Sequence, residues 1–224
     1  MQDNTTSQSA QDYDANIEKT IPFHATIHEQ AMNIAQTLHP QPQKWLDAGC
    51  GTGSLALKAA KRFSQTEFTL ADPSNAMLEI AKNKLSQERR CTFVLCATQD
   101  LCLEPGSFDV ITAILAHHYV EQDIKRKITS NCYKMLNPGG VYINLESIKP
   151  LTEKGLQVGL ERWRQAQIAA GKSQEAVAKH IGRYGIEFLP VPISFHLDLL
   201  HETGFATVEM FWASHMQAGF YAIK

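Results

Sequence analysis

The chain has 224 residues and a mass of 25.0 kDa, with 44% hydrophobic and 20% charged residues, an ordinary composition for one globular domain. Its 21 basic and 23 acidic side chains give a formal net charge of -2, which argues against a global basic surface for nucleic acid. No apolar run is long enough to cross a bilayer, so the sequence predicts no membrane partner.

The N-terminus and the cysteines point to the same compartment. The first dozen residues contain neither Lys nor Arg nor an apolar run, so we expect a disordered tail over 1–12 and no signal peptide. The five cysteines form no C-x-x-C pair, which favours free thiols over a zinc site. We therefore expect a cytoplasmic protein without a bound metal.

Apolar stretches alternate between strand-like and helix-like spacing from residue 45 to residue 145. The predicted strands cover 45–48, 68–71, 92–95, 108–115 and 141–145. The predicted helices cover a lead-in within 13–40 and then 54–62, 74–85, 121–136 and 195–201. This alternation is typical of a parallel sheet with helices on both faces.

The C-terminal third departs from that alternation. Residues from about 150 to 190 are mostly helical and predict an insert that covers the sheet edge. Segments 207–212 and 219–223 predict a closing antiparallel hairpin. We expect an α/β fold with a doubly wound, mostly parallel, seven-stranded Rossmann-like sheet, in a single domain over 13–224.

A glycine-rich turn joins the first predicted strand to the first helix of the sheet. It runs from Asp47 through Gly49, Gly51 and Gly53, so the main chain can turn tightly and approach a ligand without a Cβ in the way. Free N–H groups at the start of the following helix suit an anionic group. A dinucleotide fingerprint would need a third glycine at Ser54, so this pattern departs from the NAD form.

The pattern D-x-G-x-G-x-G resembles the first motif of class I S-adenosylmethionine (SAM)-dependent methyltransferases. Three further landmarks follow in the order of that family: Asp72 after the second strand, Phe108-Asp109-Val110-Ile111 on the fourth, and Leu136-Asn137-Pro138-Gly139-Gly140 before the fifth. The resemblance implies the family's fold, SAM as cofactor and S-adenosylhomocysteine (SAH) as its product.

The resemblance also implies roles for single residues. The Asp72 carboxylate is expected to accept from both ribose hydroxyls, and Ile114 to line the cofactor pocket. Ala97 stands where many relatives carry an Asp that meets the adenine, so Thr98 or Gln99 is expected to take that place. The expected cofactor-binding residues are Tyr13, Asp47, Gly49, Gly51, Asp72, Thr98, Gln99 and Ile114.

Tyr13 belongs to a second, N-terminal resemblance. Tyr13-Asp14 followed by Ile21-Pro22 is similar to a lead-in of some methyltransferases and of carboxy-SAM synthases, in which an aromatic ring closes over the methionine end of the cofactor. A sulfonium beside an aromatic face gains cation–π attraction. The alternative is that Tyr13 is an ordinary surface aromatic.

The chemistry of methyl transfer directs attention to one histidine. Transfer from a sulfonium is an in-line displacement, so most of the acceleration comes from alignment, and a base matters only if the acceptor must lose a proton. His117 and His118 follow the fourth strand, at the edge where an acceptor enters. His118 is the predicted catalytic residue; the alternative is that a histidine here packs or caps the next helix.

The predicted insert has two interpretations. Its basic and aromatic side chains could line the acceptor site, or they could form a solvated helix face. These side chains are Arg162, Trp163, Arg164, His180, Arg183 and Tyr184. A separate hypothesis concerns three cysteines outside the insert. Cys91, Cys96 and Cys102 could bind a metalloid, since thiolates serve as metalloid ligands in some SAM enzymes.

The function expected from these features is methyl transfer from SAM to a small-molecule acceptor. A carboxy-SAM synthase-like enzyme is one alternative, and it needs a cationic group that faces the carboxylate of the transferred unit. A non-catalytic SAM-binding protein is a second alternative. A third is an RNA methyltransferase, which would need a strip of basic residues on its surface. The sequence leaves the oligomeric state open.

Overall fold

The computed structural model describes residues 9–224, and in that part of the chain a seven-stranded sheet forms the centre. The strands are β1 (Lys44–Ala48), β2 (Glu67–Asp72), β3 (Cys91–Leu95), β4 (Phe108–Ile114), β5 (Leu136–Ser147), β6 (Thr207–Ser214) and β7 (Gln217–Ile223). The helices are α1 (Ala10–Thr20), α2 (His24–Leu38), α3 (Ser54–Arg62), α4 (Asn75–Lys84), α5 (Gln122–Met135), α6 (Glu153–Ala169), α7 (Gln174–Ile181) and α8 (Ile193–Thr203), with a short 3₁₀ turn at Thr98–Asp100.

The strand order is β3-β2-β1-β4-β5-β7-β6. The first five strands are parallel, and β7 enters antiparallel between β5 and β6. This confirms the predicted doubly wound sheet with its antiparallel C-terminal hairpin. The order reverses between β1 and β4, and a crevice at such a switch point is where open α/β sheets bind ligands.

Two apolar layers cover the two faces of the sheet. On one face Trp45, Phe63 and Phe68 pack beneath α2 and α3, and the Trp45 ring centroid lies 5.4 Å from that of Phe63. On the other face Ile111 and Phe220 pack beneath α5 and α8. All five side chains are nearly inaccessible to solvent. Each contributes about 1.5–3 kcal/mol to folding by burial, before the entropy cost.

The N-terminal prediction needs correction. Residues 1–8 of the expected tail lie outside the described residues, but α1 already begins at Ala10, because the Ser9 hydroxyl caps it by accepting from the Asp12 N–H. The lead-in over 13–40 is two helices rather than one. Pro22 cannot continue α1, and the chain turns at Phe23, whose φ is +65°.

The chain after β5 covers the carboxyl end of the sheet with α6 and α7, which Gly171 separates at a φ of +89°. The Trp163 indole of α6 donates to the Thr20 carbonyl of α1 at 2.8 Å, and the Lys172 ammonium donates to the Thr20 hydroxyl at 3.0 Å. Helix α1 and this cover are therefore joined above the crevice. Among the described residues, no helix combines the length and apolarity needed to cross a membrane.

Candidate functional site

A cavity of about 220 Å³, here called the cofactor chamber, opens at the carboxyl ends of β1, β2 and β4. It lies at the switch point of the strand order, beneath α1 and α2. Its lining residues are Tyr13, His24, His28, Asp47, Gly49, Cys50, Gly51, Thr52, Ser54, Leu55, Asp72, Pro73, Ser74, Met77, Ile114, Leu115, Ala116 and Tyr119.

The glycine turn forms the floor of the cofactor chamber. Gly49 has a φ of +78°, and a Cβ added there would lie 2.4 Å from the Ala116 Cβ, so only glycine fits between the turn and the end of β4. Gly51 has a φ of +53° and donates its N–H to Asp72 Oδ2 at 2.9 Å. Asp72 Oδ1 accepts from the Ser74 N–H at 2.9 Å, so the carboxylate is held at the chamber wall by two backbone donors.

Asp47 contributes a buried carboxylate to the wall of the cofactor chamber. Its Oδ1 accepts from the Thr112 hydroxyl at 2.8 Å, while Oδ2 is buried without a hydrogen-bond partner among the described residues. Burial raises the pKa of Asp47 to about 7; the Thr112 hydrogen bond lowers it, and the Asp72 charge raises it further. A buried, unpaired carboxylate oxygen is costly. A ligand with a positively charged group therefore fits this wall.

Helix α1 forms the roof of the cofactor chamber and is tied to the glycine turn. Asp14 Oδ1 accepts from the hydroxyls of Thr52, at 2.7 Å, and Ser54, at 2.9 Å. Asp14 Oδ2 accepts from the Lys84 ammonium at 2.7 Å. This anchor places Tyr13, one residue earlier, against the chamber. The sequence signal for Asp14 was its position beside Tyr13, but nothing in the sequence indicated its partners.

Two histidines of α2 line the same chamber and were not predicted. The rings of His24 and His28 lie 4.4 Å apart and are buried. Burial lowers both pKa values, and the Lys58 ammonium, 3.5 Å from His28 Nδ1, adds to the effect. Both imidazoles are therefore neutral near pH 7 and offer hydrogen-bond donors without a charge.

A second, smaller cavity of about 40 Å³, here called the acceptor chamber, adjoins the first. Tyr13, Leu115 and Tyr119 line both cavities. The lining residues of the acceptor chamber are Tyr13, Ile17, Thr20, Ile21, Leu115, His118, Tyr119, Ser147, Trp163, His180 and Phe188.

His118 lines the acceptor chamber and is held by a buried carboxylate. Its Nδ1 lies 3.1 Å from Glu146 Oε2, and Glu146 Oε1 accepts from the His117 N–H at 3.0 Å. Burial raises the pKa of Glu146, but hydrogen bonding and charge interaction with His118 outweigh it and leave the pKa lowered. An ionised carboxylate can only accept, so His118 Nδ1 carries a proton, and in the neutral form of the ring Nε2 is the nitrogen with the free lone pair.

His117 has a different role from its neighbour. Its Nε2 lies 3.1 Å from the Thr98 hydroxyl, and it lines neither chamber. Burial lowers the pKa of His117 to about 4, against the raising effect of Glu146. His117 is therefore a neutral, packed histidine. Leu115, just before the pair, has a φ of +56°, a strained turn that bends the chain toward the chambers.

Most of the predicted site residues come together at these two chambers. Tyr13, Asp47, Gly49, Gly51, Asp72 and Ile114 line the cofactor chamber, and His118 lines the acceptor chamber. Thr98 and Gln99 line neither one. The short 3₁₀ turn that holds them faces α5, where the carbonyls of both residues accept from the Asn131 side chain.

Each of the two interpretations of the predicted insert holds for some of its residues: some line the acceptor chamber, and others lie at the surface. Trp163 and His180 line the acceptor chamber, whereas Arg164 pairs with Glu161 at the surface. Arg183 is buried and pairs with Glu187 at 2.7 Å. The described residues contain no group of three or more His, Cys, Asp or Glu side chains able to hold a metal ion.

Comparisons with known proteins agree with this geometry. A family model described as a methyltransferase domain matches residues 46–140. The carboxy-S-adenosyl-L-methionine synthase of Campylobacter lari is 26% identical over 207 residues, which cover 88% of this chain and 84% of that protein. A ubiquinone/menaquinone biosynthesis C-methyltransferase of Psychromonas ingrahamii is 33% identical over 115 residues, or 50% of this chain and 45% of that protein.

A solved structure shares the fold. The magnesium protoporphyrin IX methyltransferase of Synechocystis, solved with bound SAH, matches with a TM-score of 0.62 and 15% identity. The match covers 89% of this chain and 82% of that one. The similarity therefore extends well beyond residues 46–140.

Proposed function

We propose that this chain is a class I SAM-dependent methyltransferase that transfers the methyl group to a small-molecule acceptor in the acceptor chamber, with His118 as the base. The observation that carries the proposal is the His118–Glu146 pair, whose histidine lines a cavity that adjoins the cofactor chamber. When bound, SAM supplies the electrophilic methyl group.

The residues of the cofactor chamber suit SAM group by group. The Asp72 carboxylate accepts from the ribose hydroxyls, and the unpaired Asp47 oxygen accepts from the ammonium of the methionine moiety. His24 and His28 donate to its carboxylate. Tyr13 presents an aromatic ring toward the sulfonium region shared by the two chambers.

His118 takes a proton from the acceptor. Glu146 holds the Nδ1–H tautomer, so Nε2 is the basic atom, and the developing imidazolium is stabilised by the carboxylate behind it. The ring is kept in place by Phe188, whose centroid lies 5.5 Å away in an edge contact. Alignment of the acceptor by these walls supplies most of the rate acceleration.

A second candidate function is that of a carboxy-SAM synthase, because a relative over most of the chain carries that name. That reaction leaves a carboxylate on the group attached to sulfur, and the carboxylate needs a cationic partner. The lining of the acceptor chamber, within the described residues, includes no lysine or arginine. The lining favours methyl transfer, whereas the shared name of several relatives that match over most of the chain favours the synthase. Mass spectrometry of the nucleoside that copurifies distinguishes the two, since the carboxylated form is heavier by one CO₂.

The test of the proposal is the variant His118→Ala, measured as SAH release with a panel of small acceptors. We expect turnover to fall by about 10²–10⁴-fold, the usual contribution of a general base, while the Kd for SAM stays within about 2-fold. His201→Ala removes an exposed histidine and is the control. Equal turnover in His118→Ala would demote His118 to a packing residue. SAM binding without SAH release on any acceptor would favour a non-catalytic protein.

A further inference from the structure

The acceptor chamber has an uncharged lining. Its described side chains are apolar, aromatic, hydroxylic or imidazole, without a carboxylate, lysine or arginine. Two cations lie just outside the lining and have partners of their own: Arg183 pairs with Glu187 and lies 4.6 Å from the centroid of the Phe188 ring, and Lys172 donates to Thr20 and Gln167. A buried ion without a counter-ion is strongly disfavoured, and a cation would also be repelled by the sulfonium. The chamber therefore suits a neutral acceptor.

His180 of α7 is a polar residue of this lining that the proposed reaction does not use. Its side chain is only 5% exposed, and Nδ1 has no hydrogen-bond partner among the described residues. Burial lowers the pKa of His180 to about 3, and Lys172 and Arg183 lower it further, so the ring is neutral. A buried polar atom left without a partner costs about 1–3 kcal/mol, which a ligand that satisfies it recovers.

The two imidazoles are held around one aromatic ring. The Phe188 centroid lies 5.5 Å from that of His118 and 5.4 Å from that of His180. Trp163 closes the far side with an edge contact to His180, at 4.9 Å and 84°. These rings meet edge to face or tilted, and a lining of aromatic side chains favours a ligand that is itself a ring.

We propose that His180 is a substrate-recognition residue and that the acceptor is a small, uncharged, hydroxylated ring. One hydroxyl of the acceptor donates to His118 Nε2, and a second polar group on the ring pairs with His180. In the transfer the oxygen gains the methyl group as the carbon–sulfur bond breaks, the pair of electrons goes to sulfur, and the proton goes to His118. This inference rests on the proposed function, because His118 is the base in both.

The test uses four compounds built on one benzene ring: resorcinol, phenol, benzoate and benzylamine. The full chain is incubated with SAM and each compound, and SAH release is measured near neutral pH. We expect turnover with resorcinol and phenol and none with benzoate or benzylamine. We also expect His180→Phe, which keeps a ring against Trp163 and Phe188, to lower kcat/KM for resorcinol about 10-fold. The same variant lowers kcat/KM for phenol by a smaller factor, so the resorcinol-to-phenol ratio falls, and His180→Asn restores part of the preference.

Each contrary outcome has a defined meaning. Turnover of benzoate or benzylamine that matches resorcinol, or an unchanged resorcinol-to-phenol ratio in His180→Phe, overturns the inference. SAH release with other acceptors but with none of the four compounds overturns it as well and leaves the proposed function intact. If no acceptor yields SAH, the proposed function fails, and calorimetry with SAH present still decides the inference, which then requires resorcinol to bind more tightly than benzoate.

Discussion

The Asp72 carboxylate both holds the glycine turn and lines the cofactor chamber. Its two oxygens accept from the N–H groups of Gly51 and Ser74, so the side chain fixes the glycine turn and begins α4 at the same time. Asp72 also lines the cofactor chamber. A change at this residue is therefore expected to alter both the shape of the turn and the affinity for SAM.

We predict that Asp72→Ala weakens SAM binding by at least about 10-fold, because the loss of one charge-assisted hydrogen bond costs roughly 1.5–3 kcal/mol. Titration calorimetry of the purified variant measures the change. Asp198→Ala, at an exposed position of α8, is the matched control. Unchanged affinity in Asp72→Ala would remove this residue from the binding site.

The residues carried by local motifs could be predicted from the sequence, and their distant partners could not. Asp47, Gly49 and Gly51 lie within one continuous segment whose spacing is informative by itself. Glu146 meets His118 only because β4 and β5 pair with Ile114 opposite Leu145, which brings the ends of the two strands together. Register of this kind depends on the whole sheet, so no local pattern indicated the pair.

Helix α1 is held over the two chambers by two separate attachments. Asp14 ties one end to the glycine turn, and Thr20 ties the other end to the cover through Trp163. The sequence predicted a helical lead-in but not its division at Pro22, because propensity alone does not show that the chain must bend there to pass over the sheet. The division gives α1 its own orientation above both chambers.

We predict that Asp14→Ala loosens this roof and weakens SAM binding by about 3–10-fold, since the variant loses the accepted hydrogen bonds from Thr52, Ser54 and Lys84. Calorimetry measures the affinity, and limited proteolysis measures the release of α1. Asp12→Ala, which alters an exposed contact to Ser9 in the same helix, is the control. The idea of an anchored roof is wrong if both variants behave like the unmodified protein.

Buried neutral histidines give the whole molecule a characteristic dependence on pH. Burial lowers the pKa of five of them from the usual 6.5, to about 4 for His117 and His196 and to about 3 for His180, with His24 and His28 shifted in the same direction. As the pH falls below 6.5, these histidines bind protons in the unfolded chain but stay neutral in the folded chain. Asp47 has the opposite effect, because its pKa is raised to about 7 and the folded chain binds this proton more tightly than the unfolded chain does. It is one group against five histidines.

We predict that the free energy of unfolding decreases from pH 6.5 toward about pH 4, by up to about 1.4 kcal/mol per pH unit for each histidine. Urea denaturation at about pH 7.5 and about pH 5 measures the slope. His196→Phe, which keeps the stack on Phe220 at 4.9 Å, should reduce the slope by about one proton. A stability that is level across this range, or that rises as the pH falls, would contradict the prediction.

The shared ceiling of the two cavities has a kinetic consequence. Tyr13 lines both, and α1 is held by hydrogen bonds to Thr52 and Trp163, so under the proposed function we expect movement of α1 to accompany release of the nucleoside and the methylated product. Turnover then follows an ordered sequence in which the nucleoside enters first and departs last. We expect the release of one short helix, rather than the displacement at sulfur, to limit the rate of the catalytic cycle.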